Sequence, residues 1–408
     1  MLRKSLIKNN FGSKIKALAL GSGFTLLALV FCFGALELFS YLELQKGEIR
    51  NFPLWNSQIK DQKDLAYQWG SLVPLPSLPT IKSHHSPIDC RQNSLKDLEE
   101  GRTPEALVYA PDTFIFGSSH GKIYRQLKPN LKDVPSEFKV GNHYLFKTSY
   151  ATDEFGRRKT FQSSLPKKMN LLLLGGSFVF GEGVGDGEHL GSQLALKMPN
   201  DHVYNYGIPG TGLAASYALV NDREFSQELA PLEGVALYFF MDFDVLRFLP
   251  TFSMGKMTYM KDHTFLEVKS NEDIEAYAAD QFPYAQKLFF YRQLGKTSFA
   301  QYFNFDFPQA SNTDLQKMAW TLKAMKIKLA EKAKIKRFIV VNFPNQNTAF
   351  FSVLRKYLEE EGIEYFDFSN WNLEQYLDEP FIPCNGHPKA QTYKLISNSI
   401  ASKLKEAP

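Results

Sequence analysis

A serine between glycines, a glycine-bearing loop, an aspartate pair and a histidine follow one another along this chain of 408 residues. Ser177 stands in Gly175-Gly176-Ser177-Phe178-Val179-Phe180-Gly181-Glu182-Gly183-Val184, directly after the apolar run Leu171 to Leu174. A serine just past a buried strand exposes its hydroxyl, and adjacent glycines let backbone N–H groups point at an anion. Asn205-Tyr206-Gly207-Ile208-Pro209-Gly210-Thr211-Gly212 is a second loop with further N–H donors. Phe240-Met241-Asp242-Phe243-Asp244 ends another apolar run, and Cys384-Asn385-Gly386-His387-Pro388 precedes the last helical pattern. Ser, Gly, Asp and His in loops at one edge of a sheet suit nucleophilic acyl transfer.

Such loops need a scaffold. Apolar runs predict strands at 170–174, 202–206, 234–240, 337–343 and 363–367. Between them lie helical patterns, the clearest being Leu315, Met318, Leu322, Met325 and Leu329, spaced by three and four and capped by Ser311 or Asn312. Tyr393, Ile396, Ile400 and Leu404 form another near the C-terminus. Strand–helix alternation predicts an α/β domain, a parallel sheet covered by helices on both faces. In such sheets ligands bind beyond the C-terminal ends of the strands, where the four loops fall. Residues 250–312, rich in Phe, Tyr and Met, break the rhythm as a lid or insertion. Short β-rich runs fill 105–165, and the proline-bearing stretch 41–104 reads as a tether.

In order and spacing these blocks resemble the SGNH (GDSL-type) hydrolases over roughly residues 110–405. The matching stretches are YRQLKPN and TDEFGRR, LLLLGGSFVFGEGV, NYGIPGTG, the third strand and NGHPKAQTYKLIS. The resemblance implies a flavodoxin-like three-layer α/β/α domain, over 166–408, that cleaves or transfers acyl groups without a cofactor or metal. It implies Ser177 as nucleophile, His387 as general base, and the N–H groups of Ser177 and Gly210 as the oxyanion hole. Three positions depart from the family. Its aspartate before the serine is Gly176 here; the asparagine of its Asn-Asp pair is Met241, beside Asp242; and Cys384 and Asn385 occupy the two places open to its aspartate before the histidine. Asn385 can orient an imidazole through its carbonyl but supplies no charge. Asp242 and Asp378 are the candidate supporting carboxylates, and Asp378 or another carboxylate reaching His387 would restore that charge.

Other motifs compete. Gly117-Ser118-Ser119-His120-Gly121 matches G-x-S-x-G, but that motif requires a helix after the turn, and KIYRQLKPN has no helical period. Asn221-Asp222 reads as a solvated helix surface, and His84-His85 fall in the tether. The run Gly181 to Gly187 lacks the lysine of a P-loop. For Ser177 the plain alternative is a helix cap.

Composition sets the outer bounds. With 44% hydrophobic and 22% charged residues the chain is globular, and three cysteines make no disulfide framework or metal spacing. A net charge of +4, from 47 basic and 43 acidic residues, leaves no footprint for nucleic acid. Ala17 to Leu36 are twenty uncharged positions after Arg3, Lys4, Lys8, Lys14 and Lys16. A helix of that length spans roughly 30 Å, a bilayer's hydrocarbon thickness. The expectation is a cytoplasmic tail at 1–16 and a transmembrane helix at 17–40, with the rest on the periplasmic side of a bacterial inner membrane. A cleaved signal peptide is the alternative, with a shorter apolar region. There the substrate would be a small ester or an acylated envelope polysaccharide. The rival reading is a catalytically degenerate domain that binds or assembles protein partners in the envelope.

Overall fold

Leu171, Leu172, Leu173 and Leu174 are all buried, which a strand achieves only when both of its faces are covered. The structure, a computed structural model, describes residues 33, 34, 36–38, 114–117, 124–140, 143–252, 263–281, 284–295, 297–302, 308, 310–344, 348–383 and 385–406. From residue 114 on, two antiparallel hairpins precede the alternating part, β1 (Phe114–Gly117) with β2 (Tyr124–Leu127), and β3 (Val134–Val140) with β4 (His143–Tyr150). The alternating part follows: β5 (Met169–Gly175), α1 (Ser177–Phe180), α2 (Leu190–Lys197), β6 (Asp201–Gly207), α3 (Leu213–Asp222), α4 (Phe225–Glu228), β7 (Gly234–Phe240) and α5 (Asp242–Phe248). A third hairpin, β8 (Thr264–Val268) with β9 (Ile274–Ala278), precedes α6 (Tyr284–Gly295) and α7 (Ser298–Tyr302). The chain ends through α8 (Asn312–Ala333), β10 (Ile335–Asn342), α9 (Thr348–Glu360), β11 (Glu364–Asp367) and α10 (Ala390–Glu406).

Five parallel strands form one sheet in the order β11-β10-β7-β5-β6. Numbered among themselves that is 2-1-3-4-5 read from β6, the flavodoxin-like order, with the topological switch between β5 and β7. Alternate leucines of β5 serve opposite layers. Leu172 and Leu174 pack in a core with residues of α3, α8 and α9, while Leu171 and Leu173 pack with residues of α2 and α10. The fold is the three-layer α/β/α arrangement the sequence predicts, and each predicted strand lies within a residue or two of an observed one.

Helix α8 buries Leu315, Met318, Leu322, Met325 and Leu329. Ser311 caps it, accepting from Asp314 N, while the Asp314 carboxylate accepts from Ser311 N. Such a cap typically contributes about 1 kcal/mol. The insertion expected at 250–312 contributes to the core: Leu266 and Val268 of β8 are buried with α3, and Tyr217 Oη donates to Ile274 O at 3.3 Å.

The chain divides into two units, Met1–Gln58 with Gln293–Asp306, and Ile59–Arg292 with Phe307–Pro408. In the first, residues 33, 34 and 36–38 are helical, and the Glu37 carboxylate accepts from the N–H groups of Ser298 and Phe299. Among the described residues no helix is long and apolar enough to cross a membrane. Most of the apolar run 17–36 lies outside them, as do the tether 41–104 with His84-His85, and Cys384. The G-x-S-x-G decoy also lies outside, except Gly117, which ends β1; the next described element is strand β2, where a nucleophile elbow needs a helix.

Candidate active site

The switch point between β5 and β7 puts two chain segments with chemistry side by side. Strand β5 ends at Gly175, and Ser177 opens α1 as its first residue, buried at 7% exposure. Its N–H, first in the helix, has no carbonyl partner within it. The cap position belongs to Gly176, so Ser177 does not cap the helix with its side chain. Asn205, fully buried on β6, fixes the underside of this turn: its Nδ2 donates to Val179 O at 2.7 Å, and its Oδ1 accepts from Gly207 N at 2.9 Å.

The Ser177 Oγ is instead 2.7 Å from His387 Nε2. The other ring nitrogen, Nδ1, is 2.5 Å from Asn385 Oδ1, which also accepts from His387 N at 3.3 Å. The backbone N–H of His387 donating to that atom identifies it as the amide oxygen, an acceptor only. Nδ1 therefore carries the proton, leaving the Nε2 lone pair for the serine hydroxyl. That is the tautomer a general base requires. Burial pushes the imidazole below its ordinary 6.5, with Glu182 opposing and Arg247 reinforcing. The ring is neutral at neutral pH, ready to take a proton.

The histidine's loop is tied back on itself. Ile382 N donates to His387 O at 2.8 Å, Gly386 N to Ile382 O at 2.9 Å, and Phe381 bridges Pro388. Ile382 packs with Phe138 and Phe146, so the β3–β4 hairpin buttresses this loop. Phe178 lies under the imidazole with ring centroids 4.9 Å apart.

Gly210, at φ 72, sits in the left-handed region that favours glycine. Its loop adjoins the serine turn: a Cβ on Gly176 would stand 2.7 Å from Thr211 O, so only glycine fits beside it. Among the described residues the Gly210 N–H has no backbone acceptor. Arg247 of α5 donates from Nη1 to Thr211 O at 2.7 Å and lies over the Phe243 ring at 5.4 Å. Asp244 is buried and pushed up to about 6 by that burial, against a bond from Met241 N and the charge of Arg247.

The structure thus brings Ser177, His387 and Asn385 into one chain of contacts, with Gly210 in the neighbouring loop. It separates the two supporting carboxylates that sequence suggests. Asp242 is buried as the first residue of α5, and Asp378 is exposed, neither within ion-pair distance of His387. The carboxylate that does reach His387 is Glu182, its Oε1 3.5 Å from Nδ1, with side chains 8% and 14% exposed. It lies in the Gly181 to Gly187 run. Gly181, at φ 86, closes α1, with the N–H groups of Gly181 and Glu182 both on Ser177 O. That reversal carries Glu182 back beside the serine, a contact no sequence period announces. Among the described residues no cluster could hold a metal ion.

No family profile and no curated protein matches the chain. Among solved structures it is similar to a member of the lipolytic G-D-S-L family from Veillonella parvula, at 11% identity and a TM-score of 0.35, covering 57% of this chain and 97% of that one. An SGNH-hydrolase family esterase, AlinE4, aligns at 15% identity and a TM-score of 0.31 over 60% of this chain and all of that one (100%). An acetyl xylan esterase from the rumen bacterium Butyrivibrio proteoclasticus aligns at 11% and 0.34, over 61% of this chain and 66% of the other. At such identities and scores, what the site does has to be read from its own geometry.

Proposed function

We propose that this protein is a serine-dependent ester hydrolase or acyltransferase. We further propose that residues 17–40 anchor it in a bacterial inner membrane, with the domain on the outer side and acylated envelope polysaccharide as its substrate class. The reaction class rests on one observation, the 2.7 Å approach of Ser177 Oγ to a neutral His387 whose Nδ1 is held by Asn385. As the Ser177 oxygen bonds to the ester carbonyl carbon, its proton passes to Nε2. The carbonyl oxygen becomes an oxyanion facing the N–H groups of Ser177 and Gly210. The carbon–oxygen bond to the leaving alcohol then breaks, and the imidazolium returns the proton to that oxygen. Water, or the hydroxyl of an acceptor sugar, attacks the acyl-serine, giving its proton to Nε2. Collapse releases the product and returns that proton to Ser177. The location is supported by the basic flank and apolar run, and the substrate class by that location and the family resemblance alone.

One observation favours a second reading, a binding or assembly subunit with a degenerate site. Met241 stands where the family's asparagine would donate to the oxyanion, a donor typically worth about 2.7–4 kcal/mol. A fluorophosphonate probe separates the two. Labelling of the wild type and Ser119→Ala, but not of Ser177→Ala, is the expected result. Equal labelling of wild type and Ser177→Ala would overturn the assignment.

A further inference from the structure

We infer that Glu182 is the positioning carboxylate of this site, balancing the charge that forms on His387 in place of the aspartate absent before the histidine. The inference rests on the serine-esterase reading above and adds a residue to it. Asn385 satisfies the Nδ1 proton but is neutral, and an amide cannot stabilise an imidazolium. Within 4 Å of the same nitrogen the structure places a carboxylate, Glu182 Oε1 at 3.5 Å. Both side chains are largely withdrawn from water, so the attraction is weakly screened.

The loop holding Glu182 is built rather than loose. Its backbone N–H closes α1 onto Ser177 O at 3.2 Å. The guanidinium of Arg158, itself 2% exposed, spans the loop, donating to Gly181 O at 3.4 Å and Val184 O at 2.9 Å and pairing with Asp186 at 3.0 Å. On the far side a Cβ on Gly183 would stand 2.3 Å from Ile382 Cδ1 and 3.1 Å from Phe146 Cδ1. The loop is therefore pressed against the histidine's own loop and the β3–β4 hairpin. A buried carboxylate on a loop clamped in this way is pre-positioned beside the base.

The charged and titratable groups around the pair can be named. Arg247, from α5, lowers the His387 pKa, while Glu182 raises it. Tyr393, from α10, feels both Glu182 and Arg158, and burial keeps its phenol well above the usual range, hence neutral. Glu182 is thus the charge that favours the protonated ring, and Arg247 opposes it.

The step it serves is proton transfer from Ser177 Oγ to Nε2, which leaves a cation on the ring. Glu182 stabilises that cation electrostatically, the proton staying on the ring. Removing its charge should make the ring a weaker base in both resting and reacting states.

The test uses the full chain in Glu182→Gln, Glu182→Asp and Glu182→Gln/Asn385→Asp forms, with two readouts. One is the pH profile of kcat/KM for a small acyl ester; the other is an NMR titration of the His387 ring. Glu182→Gln should lower the His387 pKa by about one unit, so the acid limb of the profile moves to lower pH. The plateau should fall by up to about tenfold, at most a factor of ten per unit of lost basicity. Asn385→Asp in that background returns a carboxylate to Nδ1, and should restore both the titration and most of the rate. Glu182→Asp, which keeps the charge on a shorter arm, should fall between. A loss of stability alone would lower activity without moving the limb or the titration, and the double variant would not repair it.

Unchanged limb, titration and rate in Glu182→Gln, while Ser177→Ala is inactive, would overturn the role of Glu182 and leave the esterase reading intact. Turnover no lower in Ser177→Ala than in wild type would overturn that reading, and Glu182's positioning role with it. The NMR titration would still report whether the carboxylate couples to His387.

Discussion

Arg158 and Phe180 are stacked, with the guanidinium carbon 4.6 Å from the ring centroid, and the same arginine donates to Val184 O at 2.9 Å. A single buried side chain from the TDEFGRR block therefore grips both the nucleophile's helix and the loop behind it. Arg157, its neighbour, faces the other way, pairing with Asp153 at 2.6 Å and donating to Tyr206 Oη at 3.2 Å. Arg158→Ala should strand the Val184 carbonyl, leave Gly181 O with the Val184 N–H alone, and open a void beside Phe180. The expected cost is about 2–4 kcal/mol of stability. Serine-probe labelling should drop as well, even well below the melting temperature. A variant with wild-type melting and labelling would show that the loop is held by other means.

His189 gives the stability a pH dependence of known sign. The ring is fully buried, Nε2 lies 2.9 Å from Lys159 O, and Nδ1 accepts from Gly191 N at 3.1 Å. Burial, reinforced by Arg158, pushes it down to about 3. The unfolded chain takes up a proton near 6.5 that the folded chain refuses, so the unfolded state binds more protons between those values. This contribution is therefore whole above about pH 6.5 and is lost as pH falls, at roughly 1.4 kcal/mol per unit. Asp244, pushed up to about 6, acts in the opposite sense below that value, because there the folded state holds the extra proton. Its effect is common to wild type and His189→Asn. Chemical denaturation of the two between pH 4 and 6 should give slopes differing by about 1.4 kcal/mol per unit. Parallel slopes would count against a neutral buried imidazole.

The contrast between Glu182 and Asp378 marks how far the sequence could be read. The sheet was legible because Leu171 to Leu174 and Gly234 to Phe240 are buried on both faces and so spell unbroken apolar runs. The long helix was legible because Leu315, Met318, Leu322, Met325 and Leu329 mark one face. Ser177 and Gly210 stood out because their glycine-bearing loops follow strands, whereas Asn385 and His387 stood out just before the last helical pattern, in the block order of the family the chain resembles. The acid was not. Asp378 is near His387 in sequence yet exposed, whereas Glu182 reaches it through a left-handed turn at Gly181 and a loop clamped by Arg158. Tertiary contact between distant segments leaves no periodic mark, and the glycines around Glu182 disguise it as a spacer.

Membrane orientation yields its own test. Five basic residues precede the apolar run 17–36 and no acidic ones do, so the C-terminus should lie outside the cytoplasm. A reporter active only outside the cytoplasm, fused after Pro408, should be active. Activity of a cytoplasm-only reporter at the same position would overturn the orientation and the envelope substrate class with it.

Arg247 should tune the base in the direction opposite to Glu182. Its guanidinium donates to Thr211 O at 2.7 Å and lowers the His387 pKa through its charge. The base works only when neutral, so the acid limb of kcat/KM follows the His387 pKa. Arg247→Gln removes a positive charge, raises that pKa, and should move the limb to higher pH by a few tenths of a unit to about one unit. Arg247→Lys keeps the charge and should leave the limb near its wild-type position. Both variants lose or weaken the tie to Thr211 O, so both should lower the plateau by loosening the loop that carries Gly210. Asp244 also feels Arg247, and Asp244→Asn serves as the control for a limb belonging to that carboxylate instead. The measurement is the pH profile of all four proteins on one small ester. A limb that stays put in Arg247→Gln, or shifts equally in Arg247→Lys, would mean that Arg247 holds the loop without setting the basicity of His387.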